Sequence, residues 1–360
     1  MNLKHEIVQL ANEAITGHTF PGCVVGVVWR SGERLVIPCG RHTYESDSQA
    51  ATADTIYDTA SITKSIPTNC LALQLIDEGR LSIDDQLITY LPDFANSDRE
   101  RVRIKHLLTY TLDGYGFTSA AAAKTGKSLP ELTGTDLKDV LLTHDFASPP
   151  GTIFKYTNIP TALLGLVIER LTGVTLDTLA QERFFTPLDM MRTTFHPEQF
   201  AKEDIVPTEH DDWRDLVHGV VHDESAHIFK QAGQVVGHAG LFSTAPDLLT
   251  FLEVLLHEGT FGGRQYFSRD AITLMQTNQI PELRDHTALG WELYQPRYMG
   301  DHATTHTFGK TGFTGTLVVC DIAKGVAYVI LSNRTYPTRP ADSTAINAFR
   351  KQIGEIILGG

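Results

Sequence analysis

Ser61-Ile62-Thr63-Lys64 sets a hydroxyl and an amine three positions apart, at the start of an apolar stretch that carries Ile66, Cys70, Leu73 and Ile76. On a helix, positions i and i+3 share a face. A serine hydroxyl is a weak nucleophile until a neighbouring base takes its proton. A lysine can be that base when burial and nearby cations lower its pKa. Alone, the pattern describes many ordinary helix turns, so its chemistry depends on partners further along the chain. Two such partners follow. Lys155-Tyr156-Thr157-Asn158 comes after the turn-rich Ser148-Pro149-Pro150-Gly151 and brings a phenol for proton transfer and an amide for positioning. Phe308-Gly309-Lys310-Thr311-Gly312-Phe313 then opens a strand-like run to Cys320, with glycines where a substrate backbone can approach closely.

Each motif also has an ordinary reading. Tyr156 could be a half-buried loop aromatic whose hydroxyl is satisfied locally, and Lys310-Thr311-Gly312 could be a turn before a strand. A second Lys-Thr-Gly, Lys124 to Gly126, shows how little three residues say. It precedes Tyr156, is followed by Lys127-Ser128-Leu129-Pro130 rather than a strand, and reads as a helix end or loop. Gly126-Lys127-Ser128 imitates the end of a phosphate-binding loop, but Ala121 stands where its first glycine is required, so nucleotide binding is set aside. The order and context of the three motifs together point to a serine acyl-enzyme site.

A Ser-x-x-Lys, a polar triad and a Lys-Thr-Gly in that order are the signature of penicillin-binding proteins and serine β-lactamases. With Tyr156 and Asn158 as the middle element, the chain resembles the class C β-lactamases, the D-Ala-D-Ala peptidases related to them and the family VIII esterases. Val221 to Ala226 and Gly237 to Ser243 also resemble segments of that group. The resemblance implies that Ser61 attacks an acyl carbon and that water later hydrolyses the ester. Lys64 and Tyr156 would share the proton work, either one acting as base, with Lys64 and Lys310 favouring a phenolate by charge. Asn158 would position the lysine and the substrate. The oxyanion would rest on the backbone N–H groups of Ser61 and Phe313, with Thr311 and Gly312 along the substrate strand. No Glu-x-x-Leu-Asn segment of the class A kind is present, so the deacylating water falls to Tyr156 or Lys64. The substrate would be a small ester, amide or β-lactam, with no cofactor and no metal. The alternatives are a slowly deacylating, penicillin-binding D-Ala-D-Ala carboxypeptidase and a catalytically silent scaffold.

The whole chain sets limits on partners. A formal net charge of −13 over 360 residues argues against nucleic acid. No run approaches the ~18 apolar residues of a membrane span. The N-terminal segment through Ile15 sets Leu3, Ile7, Leu10, Ala11 and Ala14 on one face, as an amphipathic helix rather than a signal peptide, which implies a cytoplasmic address. That departs from secreted β-lactamases and anchored cell-wall enzymes. Cys23, Cys39, Cys70 and Cys320 lie in apolar contexts without metal spacing and read as buried free thiols. His218/His222 and His302/His306 have zinc-compatible spacing but sit among glycine, β-branched and loop residues without a zincin glutamate. His238 reads as a hydrogen-bonded structural residue near the cleft. Oligomeric state leaves no mark in the sequence.

Positioning these residues requires strands at both ends of the chain. Gly22–Arg30 and Arg34–Cys39 predict a β-hairpin. Thr316–Asp321 and Val326–Ser332 predict another, and residues 342–358 a closing helix. A helix is expected from near Ser61 to Gly79, with Pro67 tolerated early in it, and further helices at Asn158–Leu171, Leu176–Phe185 and Leu248–Glu258, the last opened by a capping box at Thr244. Residues 198–235 are poorly periodic and are expected to form an irregular cleft wall. The fold class is α+β, an antiparallel sheet flanked by terminal helices plus an inserted helical subdomain, as the resemblance also implies. The expected division is 1–75 with 236–360 as the sheet lobe and 76–235 as the helical lobe, with the active site between them.

Overall fold

The computed structural model describes residues 3–94, 97–143, 145–283 and 286–360; Met1 and Asn2 of the expected N-terminal helix lie outside them. The frame consists of helix α1 (Leu3–Thr16), strands β1 (Gly22–Trp29) and β2 (Arg34–Gly40), helices α2 (Cys70–Asp77), α3 (Ile159–Thr172), α4 (Glu224–Gln231) and α5 (Ala245–Leu256), strands β3 (Glu292–Leu293), β4 (Phe308–Thr311), β5 (Leu317–Asp321) and β6 (Val326–Ser332), and helix α6 (Thr344–Leu358). The strands form one six-stranded sheet in the order β2-β1-β6-β5-β4-β3. Every pairing is antiparallel. The two ends of the chain thus meet at the β1–β6 ladder, where Cys23 faces Ser332 and Trp29 faces Val326.

β1 is a run of valines punctuated by glycine because both of its faces are covered. On one face α1 and α6 pack through Ile7, Ala11, Phe349 and Ile353 onto Val25, Val27 and Tyr328. On the other, α5 packs through Leu249 and Leu252 onto Val24, Val28 and Val329. Gly26 sets the spacing: a Cβ there would lie 2.8 Å from Val329 and 2.9 Å from Leu249. Each buried aliphatic or aromatic side chain in these layers contributes roughly 1.5–3 kcal/mol.

The hairpins, the closing helix and the helices at 159–172 and 245–256 lie where periodicity predicts them. Lys124-Thr125-Gly126 ends a helix, with Gly126 at φ 74°. The helix expected from Ser61 differs. Its first turn closes through Thr63 N→Ala60 O and Lys64 N→Ser61 O bonds, both 3.1 Å. The backbone then leaves helical geometry at Ile66 (φ −117°, ψ 112°), ahead of Pro67, before α2 resumes. Residues preceding proline are pushed out of the α region, which accounts for the break. Residues 198–235 hold a short hairpin, Glu209–Asp211 with Asp215–Val217, and then α4, which Asp223 caps. His218 bonds the carbonyls of Lys202 and Ile205 while His222 bonds Glu209, so the two do not converge. All four cysteines are buried free thiols. Among the described residues no single helix is long and apolar enough to cross a membrane.

Candidate active site

Ser61 is presented by a strained turn. Ala60, just before it, has φ 48°, in the left-handed region that costs a non-glycine residue about 1–3 kcal/mol. Surrounding bonds hold it there. Asp58 Oδ1 accepts from Ala60 N at 2.7 Å. Thr63 Oγ1 donates to Ala60 O at 2.6 Å. Thr316 Oγ1 donates to Thr59 O at 2.9 Å. The end of β4 lies directly against this turn: a Cβ on Gly312 would be 1.9 Å from Thr316 Oγ1 and 2.4 Å from Thr59 O. The glycine of Lys310-Thr311-Gly312 is therefore required by close backbone approach.

Lys64 is fully buried, and its Nζ donates to Ser61 Oγ and to His238 O, both at 2.9 Å. Burial, then the neighbouring Lys310, pull its pKa down to about 7, against the opposing pull of Asp223 and Glu292. Lys310 is equally buried and donates to Glu292 Oε1 at 2.5 Å. Tyr156 lies between the lysines, 4.4 Å from Lys310 Nζ and 5.3 Å from Lys64 Nζ by ring centroid. The residue is 41% exposed, with its hydroxyl turned inward to Ser61. The expected phenolate is not favoured: burial first, and then Glu292, push the phenol pKa well above its usual value and outweigh the contact with Ser61 that lowers it. The Glu292 carboxylate paired with Lys310 offsets the charge that the expectation relied on.

Asn158 also takes another partner than expected. Its Nδ2 donates to Asp223 Oδ2 at 3.1 Å, and Lys64 is held instead by the His238 carbonyl. Asp223 also accepts from Ser225 Oγ at 2.6 Å and from Ala226 N at 2.9 Å, and contacts His238 Nε2 at 3.2 Å. Burial would raise its pKa, but His238 and these donors hold it far below the carboxylate range. His238 is fully buried and hydrogen-bonded through its ring to Ser225 and Asp223, in keeping with a structural histidine.

Ser61, Tyr156, Asn158, Asp223, Thr311, Gly312 and Phe313 line one cleft of about 350 Å³, together with Arg334, Arg339 and Arg350. A cavity of about 520 Å³ behind α3 is larger but contains none of the motif residues, so chemistry and not size marks the site. Arg339 is neutralised by Glu209 and Glu224. Arg334 and Arg350 are buried and, among the described residues, donate only to oxygens of uncharged groups: Phe313 O at 2.7 Å and Asp342 O at 2.9 Å for the first, Gly312 O at 2.9 Å, Thr316 O at 2.8 Å and Asn347 Oδ1 at 2.9 Å for the second. The N–H groups of Ser61 and Phe313 donate to no protein acceptor among the described residues. Glu292, Arg334 and Arg350 escaped the sequence reading, because a single charged residue in a short strand, a loop or a helix carries no spacing signal; Asp223 lies in the family-like segment Val221 to Ala226, whose resemblance assigns it no role.

A six-stranded antiparallel sheet with a serine, two lysines and a tyrosine in one cleft defines a serine hydrolase of the β-lactamase type that works through an acyl-enzyme. Residues 7–352 match the family described as Beta-lactamase, and the chain belongs to that family. It is 32% identical over 310 residues to the "Putative D-alanyl-D-alanine carboxypeptidase" of Escherichia coli (strain K12), covering 79% of this chain and 70% of that protein. The protein of the same name from Salmonella agona (strain SL483) is 32% identical over 326 residues, covering 82% and 73%. Among solved structures, "EstCE1, a hydrolase with promiscuous acyltransferase activity" superposes with a TM-score of 0.78 at 20% identity over 99% of this chain and 98% of its own. The "octameric penicillin-binding protein homologue from Pyrococcus abyssi" gives 0.74 at 23% identity over 99% and 77%. At these identities the two structures share the fold.

Proposed function

We propose that Ser61 is the nucleophile of a peptidase that removes the last residue from small acylated peptides ending in a free carboxylate, of the D-alanyl-D-alanine kind named for the relatives. The observation that carries the substrate class is the pair of buried guanidiniums, Arg334 and Arg350, lining the cleft without a direct ion pair to a carboxylate among the described residues, Asp342 and Glu292 acting on them only through space. Buried charges are normally paired, so an anionic group of the substrate is the natural complement. A neutral ester would leave them unmatched.

In this reading Lys64, largely neutral above pH 7, takes the Ser61 proton as the oxygen attacks the acyl carbon. The N–H groups of Ser61 and Phe313 receive the oxyanion, and each such donor is typically worth ~3–4 kcal/mol in the transition state. Arg334 and Arg350 hold the carbonyls of Phe313 and Gly312 and so fix the turn that carries one of them. Neutral Tyr156 protonates the departing amine as the C–N bond breaks, and recovers a proton from the Lys64 ammonium. Lys64 then activates the water that cleaves the ester. Asn158, held by Asp223, is placed to meet the substrate amide. The serine turn and Lys310 come from the two stretches that build the sheet, Tyr156 and Asn158 from the helical segment between, which supports the two-lobed division.

The test compares an N-acyl D-Ala-D-Ala peptide with its C-terminal amide, alongside an intact-mass time course with a penicillin. The free acid should be cleaved with a kcat/KM about tenfold or more above the amide, since a charge-assisted hydrogen bond contributes ~1.5–3 kcal/mol. Ser61→Ala should abolish cleavage and the penicillin adduct. Equal or better turnover of the amide or of simple esters would refute the carboxylate assignment. Activity retained in Ser61→Ala would refute the nucleophile.

A further inference from the structure

Glu292 lies at the edge of the sheet, where β3 pairs with β4 and sets it opposite Gly309, one residue before Lys310. The preceding turn is anchored to the segment that follows the reactive serine. Gly290 O accepts from Ser65 Oγ at 2.6 Å and Asn69 Nδ2 at 3.1 Å, and Gly290 N donates to Leu108 O at 2.8 Å. Gly290 has φ 78°, and a Cβ there would lie 2.3 Å from the Asn69 side chain, so the turn sits flush against that segment. One carboxylate oxygen then accepts from Lys310 Nζ at 2.5 Å and the other from the Tyr298 hydroxyl. The carboxylate is only 14% exposed and the lysine 1%.

We propose that Glu292 is a positioning residue: it holds Lys310 against Tyr156, balances its charge, and thereby sets the pH at which Ser61 becomes reactive. The inference rests on the reading of Ser61 and Lys64 given above. Two buried cations in one small cleft repel, and a buried charge stripped of its partner is strongly unfavourable. The charged and titratable groups around Glu292 are Lys310 on β4, Arg297 and Tyr298 on the following short helix, Tyr156 and Tyr110 across the cleft, Lys64 beyond them, and Arg350 from α6. Lys310 and Glu292 act on Lys64 with opposite signs, the lysine lowering its pKa and the carboxylate raising it. Removing the carboxylate leaves Asp223 alone to oppose the lowering influence.

The experiment is the pH dependence of Ser61 labelling by a fluorophosphonate probe, in which the serine oxygen forms the P–O bond, fluoride leaves and Lys64 takes the proton. It needs no knowledge of the natural substrate. In the wild type the rate should rise through pH about 7, following neutral Lys64. In Glu292→Gln the rise should move to lower pH by roughly one unit. Glu292→Asp, which keeps the charge but retracts it, should move it less, and it serves as the readout should Glu292→Gln fail to fold. A reduced rate with an unmoved pH profile in both variants would reduce Glu292 to structural support and overturn the proposal. So would a Glu292→Gln protein that melts like the wild type yet labels at no pH. A wild-type protein not labelled at Ser61 would instead sink the reading on which the inference stands.

Discussion

At the scale of single residues, the site is organised around one amine kept neutral by its surroundings. Lys64 has a folded pKa near 7 where an unburied lysine has 10.5. Its neutral form is the base, so kcat/KM should climb as pH rises through about 7, and a steady-state pH series would check this. The same shift has a stability consequence. Between pH 7 and 10.5 the unfolded chain binds more protons at this position than the folded one, so burial of Lys64 disfavours folding, less so as pH rises through that window. Lys64→Met should therefore raise stability by about 1–4 kcal/mol at neutral pH while removing Ser61 acylation, a split that thermal melting and mass spectrometry would read separately. The residues of this chemistry differ in how legible they are. Ser61, Lys64, Tyr156 and Lys310 could be read because each belongs to a short pattern and the patterns fall in order. Glu292 could not: it lies eighteen positions before Lys310, and only strand register brings the two together. Asn158 was readable as a cleft residue but not as a partner of Asp223, because that contact crosses sixty-five positions of loop and helix.

At the scale of elements, the motifs work because two backbone segments touch. Gly312 has a Cβ-sized space closed by Thr316 Oγ1 and by the carbonyl of Thr59, and the latter belongs to the turn that presents Ser61. That carbonyl is itself held by Thr316. Gly312→Ala should therefore displace the serine turn rather than merely crowd a side chain. We expect a loss of about 2–4 kcal/mol in stability and acylation slowed at least tenfold, since small misplacements of reacting groups are costly. A wild-type rate of penicillin adduct formation in Gly312→Ala would contradict this. The contact also marks where periodicity fails as a guide. Apolar residues recur with helical spacing from Ile62 through Ile66 to Ile76, across the break at Ile66, because burial continues on both sides of it. Hydrophobic pattern records which side chains face the core and is blind to a local change of backbone path that leaves them facing it.

At the scale of the whole molecule, the sheet is closed by the last helix, and α6 has two separable duties. Its apolar face covers β1, β5 and β6, with Phe349 edge-on to Phe20 at 4.9 Å. Its next residue, Arg350, passes to the other side of that packing and binds the carbonyls of Gly312 and Thr316, which carry the cleft wall. Phe349→Ala removes core packing alone and should cost about 3–5 kcal/mol of stability, with kcat/KM unchanged at temperatures where the protein remains folded. Arg350→Ala removes one donor from each of two carbonyls that keep another, Gly315 N on Gly312 O at 3.2 Å and Gly312 N on Thr316 O at 2.7 Å, a loss of roughly 0.5–1.5 kcal/mol for each bond, and it also frees the turn that aims the Phe313 N–H. Its activity should therefore fall by more than its folded fraction explains. Measuring both variants by thermal melting and by initial rates well below their transitions separates the duties. If Phe349→Ala lost activity in the folded state to the same degree as Arg350→Ala, α6 would act on the site through the sheet as a whole and not through the guanidinium.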